Sequence, residues 1–242
     1  MLPKISGTFG FRRLGLFVFS WCNDKVAFKV WAVLSIIVVL LIFLHLIVYT
    51  IIVTKLIEVP YRVSLFFDLG SDGSLPELFN YGMLFLSAII LMAVYFETGS
   101  RAAALSGTVM AFAWFDDSAQ YHERMGRLIS KSLDISPTLG LRAADIGELL
   151  AWTFIVIVLA SMVIWSRKNI IIGDKKVLVL VSAPLLALIL SGGVFDMVNI
   201  IFDGPVSNVF LTVIEDGGEM LAIAWAAAVS IYIFRNTNSL FY

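Results

Sequence analysis

Cysteine, histidine and charge are all scarce in this sequence of 242 residues, which has one Cys, two His and 14% Asp, Glu, Lys and Arg. A lone cysteine, Cys22, allows no internal disulfide and no thiolate metal cage, and it reads as a packing residue. There is no basic tract, and the formal charge is −1. Phosphate backbones demand clustered Lys and Arg, so nucleic acid is not expected as a partner. The chain also has no Gly-x-Ser-x-Gly elbow, and Cys22 falls towards the wrong side of the membrane, so serine and cysteine triads are unsupported. The two histidines, His45 and His122, fall on different predicted helices. Bis-histidine haem would need a coincidence of geometry, and no haem is expected.

Apolar sequence is what the chain has in abundance. Sixty per cent of residues are hydrophobic and the mean hydropathy is +0.95, whereas a soluble domain carries about 25% charged residues. The expected fold is all-α: an integral membrane bundle of six transmembrane helices preceded by an N-terminal interfacial helix. Residues 1–29 form the cytoplasmic or interfacial segment, 30–235 the transmembrane domain and 236–242 a C-terminal tail. Leu14 to Cys22 is too short and too flanked by charge to be a cleavable signal, and is expected to lie in the membrane surface. Predicted spans are Val30–Val53, Tyr81–Phe96, Ala102 to about Tyr121, Asp145–Trp165, Val177 to about Phe202 and Val209–Phe234, the first of them long enough to cross with some tilt. Pro60 through Pro76 reads as a loop, Met125–Leu133 as an amphipathic continuation of the third span, and Pro184 as a kink in the fifth.

Lys and Arg set the orientation. Cytoplasmic termini place eleven of the 17 Lys and Arg inside and six outside. Four of the outer six, Arg124, Arg127, Lys131 and Arg142, sit in the single connection between the third and fourth spans, against the usual bias. The same topology draws nine carboxylates to the outer half: Asp116, Asp117, Glu123, Asp145, Glu148, Asp196, Glu215, Asp216 and Glu219. Nine such groups cannot all stay ionised in a low-dielectric bundle without protons, cations or partners.

Helical spacing predicts which of them meet. On an unbroken helix Asp116, Gln120 and Glu123 share a face, with His122 about 120° from Asp116, while Glu215 and Glu219 are i, i+4. Carboxylates and a histidine on facing helices are how metal sites are built in bundles. The candidate metal ligands are therefore Asp116, His122, Glu123, Asp196, Glu215 and Glu219, and the candidate catalytic residues His122 and Glu123. An oxygen-rich set suits a divalent ion such as Mg, Ca or Mn, or iron. Plainer readings stand beside this one. Asp116 with Arg124 and Glu123 with Arg127 make interfacial salt bridges, Asp145 and Glu148 are ordinary first-turn acids, and His45 is a buried, hydrogen-bonded histidine.

Three segments carry a resemblance: Phe115-Asp116-Asp117-Ser118-Ala119-Gln120-Tyr121-His122-Glu123-Arg124, Gly192-Gly193-Val194-Phe195-Asp196-Met197 and Ile214-Glu215-Asp216-Gly217-Gly218-Glu219-Met220-Leu221. They resemble the motifs of a group of uncharacterised bacterial multi-pass membrane proteins. The resemblance implies an inner-membrane location and a shared polar site of Asp116, Asp117, His122, Glu123, Asp196, Glu215, Asp216 and Glu219, with no reaction attached. Where such proteins place a histidine soon after the fifth-helix aspartate this chain has Asn199, which counts against a His-rich site. Membrane hydrolases of the alkaline ceramidase and adiponectin-receptor type hold zinc with three histidines, one more than this chain has. The expected function is thus an outward-facing carboxylate/His site that binds a metal ion, extended to a membrane-embedded metalloenzyme. The alternative is an accessory or structural subunit of a larger membrane complex, and the third reading a cation- or proton-coupled carrier. The lipid bilayer is the expected partner, with membrane-protein partners in the alternative.

Overall fold

The computed structural model describes residues 17–138, 140–166, 172–195, 198 and 205–242. The chain is all-helical. A 3-10 turn, Ser20–Asn23, precedes α1 (Lys25–Thr54), α2 (Tyr61–Phe67), α3 (Leu75–Thr98), α4 (Arg101–Ala119), α5 (Tyr121–Ser132), α6 (Ala143–Ser166), α7 (Ile172–Ile189), α8 (Pro205–Arg235) and α9 (Thr237–Phe241). A π-helical turn, Leu190–Phe195, extends α7. The described residues contain no strand, only an isolated bridge between Thr138 and Leu141.

Four helices among the described residues are long and apolar enough to cross a membrane: Lys25–Thr54, Leu75–Thr98, Ile172–Phe195 and Val209–Arg235. Helices also form at the other two predicted positions, α4 with 19 residues and α6 with 24. The loop expected between Pro60 and Pro76 contains a short helix, α2, and ends inside the first turn of α3.

The sequence writes most of these boundaries locally. The Asp24 carboxylate accepts the N–H groups of Val26 and Ala27 at 2.9 and 3.0 Å, capping α1. Ser74 caps α3, and Ser100 caps α4 by accepting from the Ala103 N–H at 3.1 Å. Such side chains satisfy amide donors that a helix start leaves open. Gly99, at φ +69°, ends α3 and lets Ser100 begin α4 at once. That tight turn is fixed from α7, whose buried Asp174 accepts from Ser100 Oγ at 2.6 Å and from the Ala102 N–H at 3.2 Å.

Helices α3, α4, α7 and α8 form a ring: α3 packs on α4, α4 on α7, α7 on α8, and α8 back on α3. Its interior holds Leu84, Leu91 and Val94 of α3, Met110 of α4, Val177 and Leu180 of α7, and Ile223, Val229 and Ile233 of α8. Ala222, Ala224, Ala226, Ala227 and Ala228 of α8 are buried too. Small side chains allow the close backbone approach that stabilises helix pairs where water supplies no driving force. Helix α1 packs on the outer side of α8, while α6 joins the ring chiefly through α5.

Both ends of the chain differ from expectation. Among the described residues the N-terminal segment turns inward: Trp21 is buried against Trp31 and Trp225, which leaves its neighbour Cys22 exposed rather than packed. The tail forms α9, docked on α7 with Phe241 over Gly173 and the Lys176 Nζ donating to the Leu240 carbonyl at 3.0 Å.

The α5–α6 pair depends on two glycines. A β-carbon on Gly147 would strike the Gly126 carbonyl, and one on Gly126 would strike Glu148, including its main-chain nitrogen at 2.8 Å. Backbone cannot yield as a flexible side chain does. Gly147→Ala is expected to destabilise the protein by about 1–3 kcal/mol, the usual cost of overpacking, measured by thermal unfolding in detergent. An unchanged midpoint would contradict this crossing.

Candidate functional site

The helix predicted to run through Asp116–Glu123 breaks at Gln120. This residue adopts the left-handed conformation, φ 51°, ending α4 so that α5 starts in a new direction. The break overturns the spacing argument. Asp116 and His122, expected about 120° apart, are brought together, whereas Glu123 turns away to pair with Arg127 at 3.0 Å on the exposed side of α5. Gln120 leaves the shared face as well and donates from Nε2 to the Asp72 carboxylate.

Asp116 is fully buried. Its Oδ1 accepts the main-chain N–H of His122 at 2.9 Å, and its Oδ2 lies 2.9 Å from His122 Nδ1. One carboxylate therefore satisfies the start of α5 and orients the imidazole. A carboxylate on Nδ1 selects the tautomer protonated there, leaving Nε2 as the ring's free base or ligand atom. Trp152 of α6 covers the ring, with centroids 5.5 Å apart, and 24% of the His122 side chain stays exposed. Burial pulls the imidazole towards its neutral form, but the Asp116 hydrogen bond and charge, with the charges of Glu148 and Asp117, outweigh it. His122 is held above its ordinary value.

More polar groups from α3 and its preceding loop surround this end of the molecule. Tyr81 hydrogen-bonds Glu77 and lies 3.3 Å from the Asp117 carbonyl, and Glu77 accepts the N–H of Gly73. At the start of α6 the fully buried Asp145 accepts the Arg142 N–H at 2.7 Å and its Nη2 at 2.6 Å, the structural role of a first-turn acid.

The acids of α8 have further neighbours, on α7 and on the loop before α3. Glu219 lies over Gly192 of the π-helical turn, where any β-carbon would collide with its carboxylate. Ser191 lies against Gly218, and a β-carbon on Gly70 would come 3.3 Å from Asp216 Oδ2. Single π turns recur at functional positions. Glu215 is half-buried one turn before Glu219. Asp196 lies outside the described residues. His45 has a structural role: Nδ1 lies 3.2 Å from the Leu69 nitrogen and 3.2 Å from Asp68 Oδ1, accepting from Leu69 when it carries no proton and donating to Asp68 when it does, and either bond ties the loop after α2 to α1. The His45 contact, aided by Ser71 and the Gly70 N–H, overcomes burial and holds Asp68 below the usual carboxylate range.

Sequence reasoning missed Trp152, Tyr81, Glu77 and Asp174. Only Trp152 carried a signal, since it follows Glu148 by four residues and shares its face of α6. Among the described residues no three His, Cys, Asp or Glu side chains are grouped to hold one metal ion. Residues 30–232 match the model of a family described as a domain of unknown function, DUF8692. No curated protein and no solved structure matches the chain.

The raised His122 value carries a signed consequence. A group bound more tightly to its proton when folded contributes stability that is complete below its unfolded value, near 6.5, and is lost as pH rises through the folded value. Wild type should therefore exceed Asp116→Asn in thermal midpoint by a margin that is largest in mild acid and shrinks as pH rises past neutrality. A margin independent of pH would contradict the charge coupling.

Proposed function

The chain belongs to the DUF8692 family, and we propose that it is a six-span membrane protein whose Asp116–His122 pair presents His122 as a general base or metal ligand. The observation that carries this reading is Asp116: fully buried, with both oxygens spent on one residue's main chain and ring. An imidazole held in one tautomer and one orientation is what ligation or proton transfer requires. Helices α4 and α6 supply the third and fourth crossings in this reading. The bias of Lys and Arg supports cytoplasmic termini, and the motif resemblance supports a bacterial inner membrane. Among the described residues no group of three His, Cys, Asp or Glu side chains is placed to hold one ion, so a divalent metal at His122 would take further ligands from solvent or from a bound substrate. Glu219, over Gly192, with Glu215 one turn before it and Asp196 as their sequence-predicted companion, is the second candidate group of ligands.

A second reading, an accessory subunit of a larger complex, has its own support. The outer acids are largely engaged inside the chain, Asp116 by His122, Glu123 by Arg127, Asp145 by Arg142 and Glu77 by Tyr81. Two open pockets lie away from the pair. One of 430 Å³ adjoins Pro137–Arg142, and one of 320 Å³ is lined by Leu46, Tyr49, Val209, Phe210 and Val213.

Two measurements on detergent-purified protein separate these roles: elemental analysis beside His122→Asn, and the reactivity of each imidazole towards diethyl pyrocarbonate. A near-stoichiometric divalent metal lost in the variant identifies a ligand. A metal-free protein whose His122 reacts well ahead of the buried His45 identifies a base. A metal-free protein with His122 as inert as His45 would refute both roles and leave the accessory reading.

A further inference from the structure

The four outer cations that run against the usual bias divide into two kinds. Arg127 and Arg142 are paired with Glu123 and Asp145. Arg124 and Lys131 are exposed on α5, and neither has an acidic partner among the described residues. At 100° per residue Arg124, Arg127, Leu128 and Lys131 fall within one stripe about 100° wide. The opposite side of α5, with His122 and Gly126, is the one held against α6, so the packing fixes which way the stripe faces. Leu128 is 59% exposed within it.

From this geometry we infer that the α5 stripe is a docking surface for the headgroups of anionic phospholipids, with Leu128 inserted between them. A helix with cations and a large apolar side chain on one exposed face is matched by a boundary that is negative on one side and apolar on the other. The inference rests on the reading of α4 as a crossing helix, because α5 starts directly after α4 ends and so lies at the level where that crossing leaves the bilayer. A free anion would satisfy the cations but leave Leu128 in water. Each cation near an anionic membrane surface contributes about a fivefold gain in binding, so Arg124 and Lys131 together account for roughly twenty-five-fold.

The test uses the full chain, wild type and Arg124→Gln/Lys131→Gln, titrated in detergent with phosphatidylglycerol or phosphatidylcholine and read by native mass spectrometry. Wild type should bind phosphatidylglycerol in preference, and the variant should lose that preference by roughly twenty-five-fold with phosphatidylcholine binding unchanged. In parallel, Cys22→Ser/Leu128→Cys carrying a fluorophore is reconstituted in vesicles containing brominated lipid. Quenching at headgroup depth is expected. A probe at that depth without phosphatidylglycerol preference overturns the lipid assignment alone, and points to an acidic protein partner if the cations still matter to complex formation. A probe quenched only by aqueous iodide overturns the placement of α5 as well.

Discussion

A carboxylate taken out of water must be compensated by charge and hydrogen bonds, or it costs several kcal/mol. In this protein the constraint falls most heavily on Asp116, and the compensation comes from one residue six positions later. Because both oxygens go to His122, the chain has to turn between Asp116 and His122, and Gln120 takes the left-handed conformation that allows it. The direction of α5 follows, then the meeting of Gly126 with Gly147, and then the position of α6 with Trp152 over the imidazole.

The rest of the bundle solves a different problem. Its central helix, α8, is apolar and alanine-rich where it passes through the core, and polar only towards the end that holds Glu215, Asp216 and Glu219. Those carboxylates are accommodated by absent side chains: Gly192 and Gly70 leave room for oxygens where any β-carbon would press on them. The π turn that carries Gly192 widens α7 at that level. The loop between α2 and α3 touches both groups, with Gly70 at Asp216 and Asp72 accepting from Gln120.

The fold was legible where its signals are local or compositional. Apolar runs announced the long helices, and Gly99 with Ser100 the break between α3 and α4, whereas the start of α3 at Ser74 lies inside what reads as a loop. The site was less legible, because spacing arguments assume an unbroken helix and nothing in Ser118-Ala119-Gln120-Tyr121 marks a stop. A glutamine in the left-handed region is selected by tertiary need, here the pull of Asp116 on the next turn, and propensity does not report it. Trp21, expected at the membrane surface, packs against indoles of α1 and α8, a long-range contact that local sequence does not report. The contact of Asp174 with the α3–α4 turn joins residues more than seventy positions apart, beyond the reach of any periodicity.

The central claim is that Asp116 fixes the tautomer and basicity of His122. Nitrogen-15 NMR of the selectively labelled His122 ring at neutral pH tests it most directly. The account predicts a protonated, hydrogen-bonded Nδ1 whose resonance moves in Asp116→Asn. A ring protonated only at Nε2, or one indifferent to that substitution, would contradict it.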